Sequence, residues 1–128
     1  MPRVLIADDV PAVRMIVRRS LIASGHTVVE ALDGPAAYEI GVDGSIDLAI
    51  FDHLMPGIKG IDVLFKWREQ GIQIPVMILS AVDDADTVVA ALNGGAADYI
   101  RKPFDPAELI ARVGRVLRVP PSSAPLAV

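Results

Sequence analysis

The sequence predicts an α/β fold, a parallel five-stranded sheet with helices on both faces. Two kinds of apolar segment alternate along the 128 residues, one short and continuous, the other spaced for a helix. The pair recurs five times at intervals of roughly 25 residues, enough for a strand, a helix and their turns. Strands that alternate with helices imply right-handed crossovers and hence parallel pairing. One domain is expected, since domains commonly hold roughly 100–150 residues.

The first strand is read at residues 4–7, an unbroken Val-Leu-Ile-Ala run suited to burial on both faces. The first helix begins near Pro11 and puts Val13, Ile16, Val17 and Leu21 on one stripe, leaving Arg14, Arg18 and Arg19 for solvent. Gly25 follows as its stop. The second run, Thr27–Ala31, carries polar residues and suits a strand nearer a sheet edge, with a shorter helix near 35–41 after it. The third strand falls at 48–51. Its helix turns Ile61, Leu64 and Phe65 inward and Asp62, Lys66 and Glu69 outward, with Trp67 read as packing and Gly71 as the stop. Residues 76–79 form the fourth strand, followed by a short helix near 86–93 whose leading acids Asp83, Asp84 and Asp86 complement the helix dipole. The fifth strand, 97–100, is again of mixed polarity. Asp105-Pro106 opens the last helix, with Leu109, Val113, Val116 and Leu117 inward and Arg112, Arg115 and Arg118 on a solvated face. The folded domain is thus expected over residues 1–119. Pro120-Pro121-Ser122-Ser123-Ala124-Pro125 cannot continue a helix, so 120–128 reads as a Pro/Ser-rich linker or disordered tail.

Composition excludes several classes. With 52 % hydrophobic and 22 % charged residues the chain is not intrinsically disordered, and without cysteine it has no thiol chemistry or Cys-based metal site. A net charge of −4 with no basic tract leaves no footprint for direct nucleic-acid binding. Mean hydropathy is +0.46, yet no apolar run approaches the roughly 18 residues of a membrane span, and the start of the chain is too short for a secretory core. A cytoplasmic domain with no membrane contact is expected.

In open parallel α/β sheets the functional crevice lies beyond the carboxyl ends of the strands. After the first apolar run stand Asp8 and Asp9, after the third Asp52, after the fourth Ser80 and after the fifth Lys102. Taken singly, the acids would serve as helix caps, Ser80 as a turn hydroxyl and Lys102 as a solvated lysine. Taken together, they direct three carboxylates, a hydroxyl and an ammonium to one end of one sheet. Two carboxylates about 5 Å apart repel by roughly 3 kcal/mol at an effective dielectric near 20, so three must take up protons or a cation. Oxygen ligands without His or Cys suit Mg²⁺, which accepts one or two carboxylates and a phosphate. Three carboxylates and one ammonium leave two negative charges, which that ion cancels. An arriving phosphoryl group would meet metal, ammonium and hydroxyl, and in-line transfer needs little beyond such positioning. Asp52 is the carboxylate placed as nucleophile, because adjacent Asp8 and Asp9 are better suited to holding the ion. His26 and His53 are expected to take no part.

At these residues the chain resembles the receiver domain of two-component response regulators, over about residues 2–118. The resemblance rests on Asp8-Asp9, Asp52, Met55-Pro56-Gly57, Gly60, Ser80 and Lys102-Pro103-Phe104 in order, with steps of 44, 28 and 22 positions from Asp8 to Asp52, Ser80 and Lys102. It implies the flavodoxin-like strand order 2-1-3-4-5. It also implies Mg²⁺ held by Asp8, Asp9, Asp52 and the Leu54 backbone carbonyl, and Asp52 as phosphoacceptor. Lys102 would pair the phosphate, Ser80 and Tyr99 would act as switch residues, and the Lys102–Pro103 bond would be cis. Taken alone, Tyr99 is an edge-strand aromatic. The implied partners are a histidine kinase or phosphotransfer protein and a downstream protein or fused output domain. A phosphorylation-dependent homodimer is implied too. Receivers that pair through the last two helices commonly carry a basic residue in the fourth helix and two acids before the tyrosine, where this chain has Val88, Val89 and Ala97-Asp98. Apolar Leu54 and Val82, two residues after the acceptor and the hydroxyl, imply slow dephosphorylation. Leu54 also stands where Mg²⁺-dependent aspartyl phosphatases usually carry a second carboxylate, so transfer to the chain's own Asp is expected rather than enzymatic turnover.

Overall fold

In the computed structural model, five strands and five helices alternate along the described residues: β1 (Arg3–Ala7), α1 (Pro11–Ala23), β2 (Thr27–Ala31), α2 (Gly34–Val42), β3 (Leu48–Asp52), α3 (Gly60–Glu69), β4 (Val76–Ser80), α4 (Ala85–Asn93), β5 (Asp98–Arg101) and α5 (Pro106–Arg118). The structure describes residues 1–81 and 85–118. Val82, Asp83, Asp84 and the expected tail at 120–128 lie outside the described residues. All strand pairs are parallel, in the order β2-β1-β3-β4-β5. The mixed-polarity strands β2 and β5 take the edges, and the continuous apolar runs of β1, β3 and β4 fill the centre.

Successive strand residues point to opposite faces, so each central strand feeds two cores. Leu5, Ala7, Ala49, Phe51, Val76 and Ile78 pack with α2, α3 and α4 residues such as Ala37, Leu64, Trp67 and Ala91. Val4, Ile6, Leu48, Ile50, Met77 and Leu79 pack with Val17 and Leu21 of α1 and Leu109, Val113 and Val116 of α5. The helical stripes seen in the sequence thus face the sheet, with one departure: Ile16 is 46 % exposed. Nor is every arginine left to solvent. Arg14 pairs with Glu30 of β2 at 3.3 Å and Arg112 with Asp98 at 3.0 Å, while Arg115, exposed as expected, reaches the same carboxylate at 2.8 Å. Gly25 and Gly71 follow α1 and α3 with positive φ, at 92° and 76°. No described helix is long and apolar enough to cross a membrane.

Trp67 anchors the first core. It is fully buried, its ring centroid lies 5.2 Å from that of Phe51, and its indole N–H donates to the Tyr38 carbonyl at 3.2 Å. Helix α2 can lie this close because residue 41 is glycine. A Cβ there would overlap the indole ring, which is fully buried, so ring or helix would have to shift. Replacing Gly41 with Ala gains up to about 1 kcal/mol of helix propensity. Overpacking of this kind costs on the order of 1–3 kcal/mol. Gly41→Ala is therefore expected to be less stable by urea unfolding, and a variant as stable as the parent would contradict this packing.

Candidate functional site

The carboxyl ends of the strands form the site, and the backbone ladder carries its residues there. Asp52 and Ser80 are the last residues of β3 and β4, paired with Leu79 and Arg101. The ladder runs one residue further on each: the His53 N–H donates to the Leu79 carbonyl at 3.0 Å and the Lys102 N–H to the Ser80 carbonyl at 2.8 Å. Lys102 thereby leaves β5 beside the tip of β4, and its bond to Pro103 is cis. Asp8 follows the last residue of β1, buried, with exposed Asp9 next to it.

Side chains from three of these tips meet. The Lys102 ammonium donates to Asp8 Oδ2 at 2.9 Å and lies 3.4 Å from Asp52 Oδ1. The other Asp8 oxygen accepts the Val10 N–H at 2.9 Å, closing the turn into α1. The Leu54 N–H lies 3.4 Å from Asp52 Oδ1. One oxygen each of Asp8, Asp9 and Asp52 lie within 4.8 Å of one another, the one such acidic or imidazole cluster among the described residues. All its donors are carboxylate oxygens, and with Lys102 two negative charges remain, which fits a hard divalent cation. Ser80 is buried at the adjacent strand end. Tyr99 lies back along β5, partly buried against the α2–α4 core, and Leu54 is 53 % exposed beside Asp52.

The segment after Asp52 is clamped rather than loose. Gly57 turns it with φ of 85°, the Pro56 carbonyl accepts the Gly34 N–H of α2 at 3.2 Å, and the Gly60 N–H returns to the His53 carbonyl at 3.0 Å. A Cβ on Gly60 would overlap the carbonyl oxygen of Asp52. These contacts tie the loop after Asp52 to the starts of α2 and α3.

Electrostatics single out the same carboxylate. Burial pushes the Asp52 carboxyl above its ordinary range, and the like charge of Asp8 pushes the same way, while Lys102 and the Leu54 N–H only partly counter them. Burial also lowers the His53 imidazole below its usual value, and its buried Nδ1 has no hydrogen-bond partner among the described residues.

Sequence spacing missed two residues that bear on the site. The Arg14 guanidinium donates to the backbone carbonyl of Asp8 at 2.8 Å while paired with Glu30. Both lie at ordinary helix and strand positions, where only the fold reveals that they meet.

Comparison with known proteins gives one consistent result. The family model described as the response regulator receiver domain matches residues 4–114. The response regulator MprA of Mycobacterium ulcerans is 40 % identical over 116 residues, 91 % of this chain and 50 % of the relative. The chain therefore spans about half the length of the curated relatives it matches. Among solved structures, the Francisella response regulator 1452 receiver domain is similar with a TM-score of 0.88 at 34 % identity, covering 92 % of this chain and 98 % of that one. The chemotaxis response regulator CheY4 of Vibrio cholerae has a TM-score of 0.83 at 28 % identity, covering 91 % and 98 %.

A raised carboxyl value means that ionised Asp52 opposes folding. That cost is absent below the ordinary value of 3.8, where the group is protonated both folded and unfolded, and it is fully present once pH exceeds the folded value. In chelator-containing buffer, Asp52→Asn should therefore melt at a higher temperature than the parent near neutral pH, with the gain shrinking as pH falls through the carboxylate range. A variant that is no more stable near neutral pH would contradict the sign.

Proposed function

This chain belongs to the response regulator receiver domain family of two-component systems, and from that premise we propose that it is a phosphoacceptor switch. Asp52 receives a phosphoryl group from a histidine kinase or phosphotransfer protein, and the modified domain changes the partner it prefers. The observation that carries this reading is the Lys102 ammonium lying between Asp8 and Asp52, with Asp9 completing an all-oxygen cluster.

A carboxylate oxygen of Asp52 attacks phosphorus as the bond from phosphorus to the donor's imidazole nitrogen breaks. The product is an acyl phosphate on Asp52, and the departing imidazole regains a proton from solvent. Asp8, Asp9, Asp52 and the Leu54 backbone carbonyl are the proposed protein ligands of Mg²⁺, which when bound supplies neutralising charge to the phosphoryl oxygens. Lys102 pairs with the incoming phosphate, and the Ser80 hydroxyl hydrogen-bonds it. Both contacts are charge-assisted and stronger than neutral ones. They exist only in the modified state, so they bias a two-state equilibrium. Tyr99 follows on β5 and relays the change to the surface around α4 and β5.

The transfer modifies the chain's own side chain, so the domain acts as a signal carrier rather than a turnover enzyme. Residues 1–119 constitute the receiver, and its effect passes to a downstream protein or a fused output domain. Pairing of two phosphorylated copies, a cytoplasmic location and the lack of direct nucleic-acid or membrane contact belong to the same reading. Exposed apolar Leu54 beside the acceptor hinders attacking water and lengthens the phosphoryl lifetime.

With acetyl phosphate and Mg²⁺ the parent chain is expected to gain one phosphoryl group in intact mass, and Asp52→Ala none. Leu54→Asn should lose its phosphoryl group several-fold faster than the parent. An unmodified parent, or an Asp52→Ala chain modified to the same extent, would refute the assignment.

A further inference from the structure

The three carboxylates are not equally constrained. Asp8 is buried and tied through both side-chain oxygens, to the Val10 N–H and to Lys102, and Asp52 is buried against Lys102. Asp9 is exposed, so its direction depends on the peptide that joins it to Asp8. The carbonyl oxygen of that peptide accepts a hydrogen bond from Arg14 Nη1 at 2.8 Å. Arg14 stands in the first turns of α1, and its Nε is held by Glu30 Oε1 of β2 at 3.3 Å. Glu30 Oε2 in turn meets Arg18 at 3.5 Å, and Glu30 itself pairs with Ile6 of β1 in the sheet. A planar guanidinium therefore spans β2 and the β1–α1 turn with two of its nitrogens, a bridge that a single ammonium cannot reproduce.

We infer that Arg14, steadied by Glu30, is a positioning residue that locks the Asp8–Asp9 peptide and so holds Asp9 on the divalent-cation side of the cluster. The inference rests on the reading of Asp8, Asp9 and Asp52 as a Mg²⁺ site. It makes a prediction opposite to that of simple charge. A cation this close to the carboxylates disfavours a second cation, so removing Arg14 should tighten Mg²⁺ binding if charge alone mattered. Groups that orient metal ligands from behind, when removed, weaken affinity by roughly 10–100-fold.

The test is a calorimetric titration of the parent, R14M and R14K chains with MgCl₂, beside melting temperatures in chelator. Positioning requires the Mg²⁺ dissociation constant to rise about tenfold in R14M. It must also rise in R14K, which keeps the charge and loses the bridge. If R14M fails to fold, R14K carries the test, and equal binding by R14K then overturns the inference. A parent that binds Mg²⁺ while R14M binds equally or more tightly overturns the inference alone, even if R14M melts lower. A parent that takes up no Mg²⁺ overturns the reading beneath it, and the inference with it.

Discussion

The contact on which the site depends is the Lys102 ammonium, 2.9 Å from Asp8 and 3.4 Å from Asp52. Two buried carboxylates at neighbouring strand ends would otherwise repel one another with little solvent to screen them. One ammonium relieves part of that repulsion and leaves the cluster still negative. In the proposed reading, the residual charge makes the pocket receptive to a divalent ion and then to a phosphoryl group. A fully neutral cluster would have no such appetite.

Bringing that ammonium to the acids is the task of the sheet. Lys102 leaves the edge strand β5, whereas Asp8 leaves β1, three strands away with β4 and β3 between them. Parallel pairing puts all carboxyl ends on one side, and the backbone bond from Lys102 to the Ser80 carbonyl keeps the β5 exit level with β4. The cores on the two faces hold the strands in register, so the rigidity of Trp67, Phe51 and their neighbours is transmitted to the tips. Gly60 and the turn at Gly57 then fix the loop that follows Asp52. A site assembled from four strand ends needs this stiffness, since each end contributes only one or two groups.

Most of the architecture was legible in the residues. Continuous Val/Ile runs marked the buried strands, runs with polar members marked the edges, and the helical stripes faced the sheet because apolar spacing follows the helical period. The convergence of Asp8, Asp52 and Lys102 followed from their shared position at strand ends, although strand order itself required the family resemblance. Arg14 and Arg112 are less exposed than their spacing suggests, and Arg115, exposed as expected, still finds an ion-pair partner, because periodicity assigns a face and not a partner. Glu30 and Asp98 sit on edge strands with side chains within reach of a helix, a coincidence of tertiary structure that no spacing encodes. Ile16 shows the converse: its spacing is right, but it lies at the margin of the stripe, beyond the reach of the sheet.

In the proposed reading, separate strand ends meet around one point that binds a divalent cation. Mn²⁺, a hard ion accepted by the same oxygen ligands, reports this directly through the broadening of nearby amide resonances. Titration should erase the signals of Asp8, Asp9, Asp52, His53 and Lys102 together and at the same concentration. Broadening centred instead on the acidic turn of Asp43 and Asp47, with the strand ends unaffected, would mean that the strand ends form no cation site.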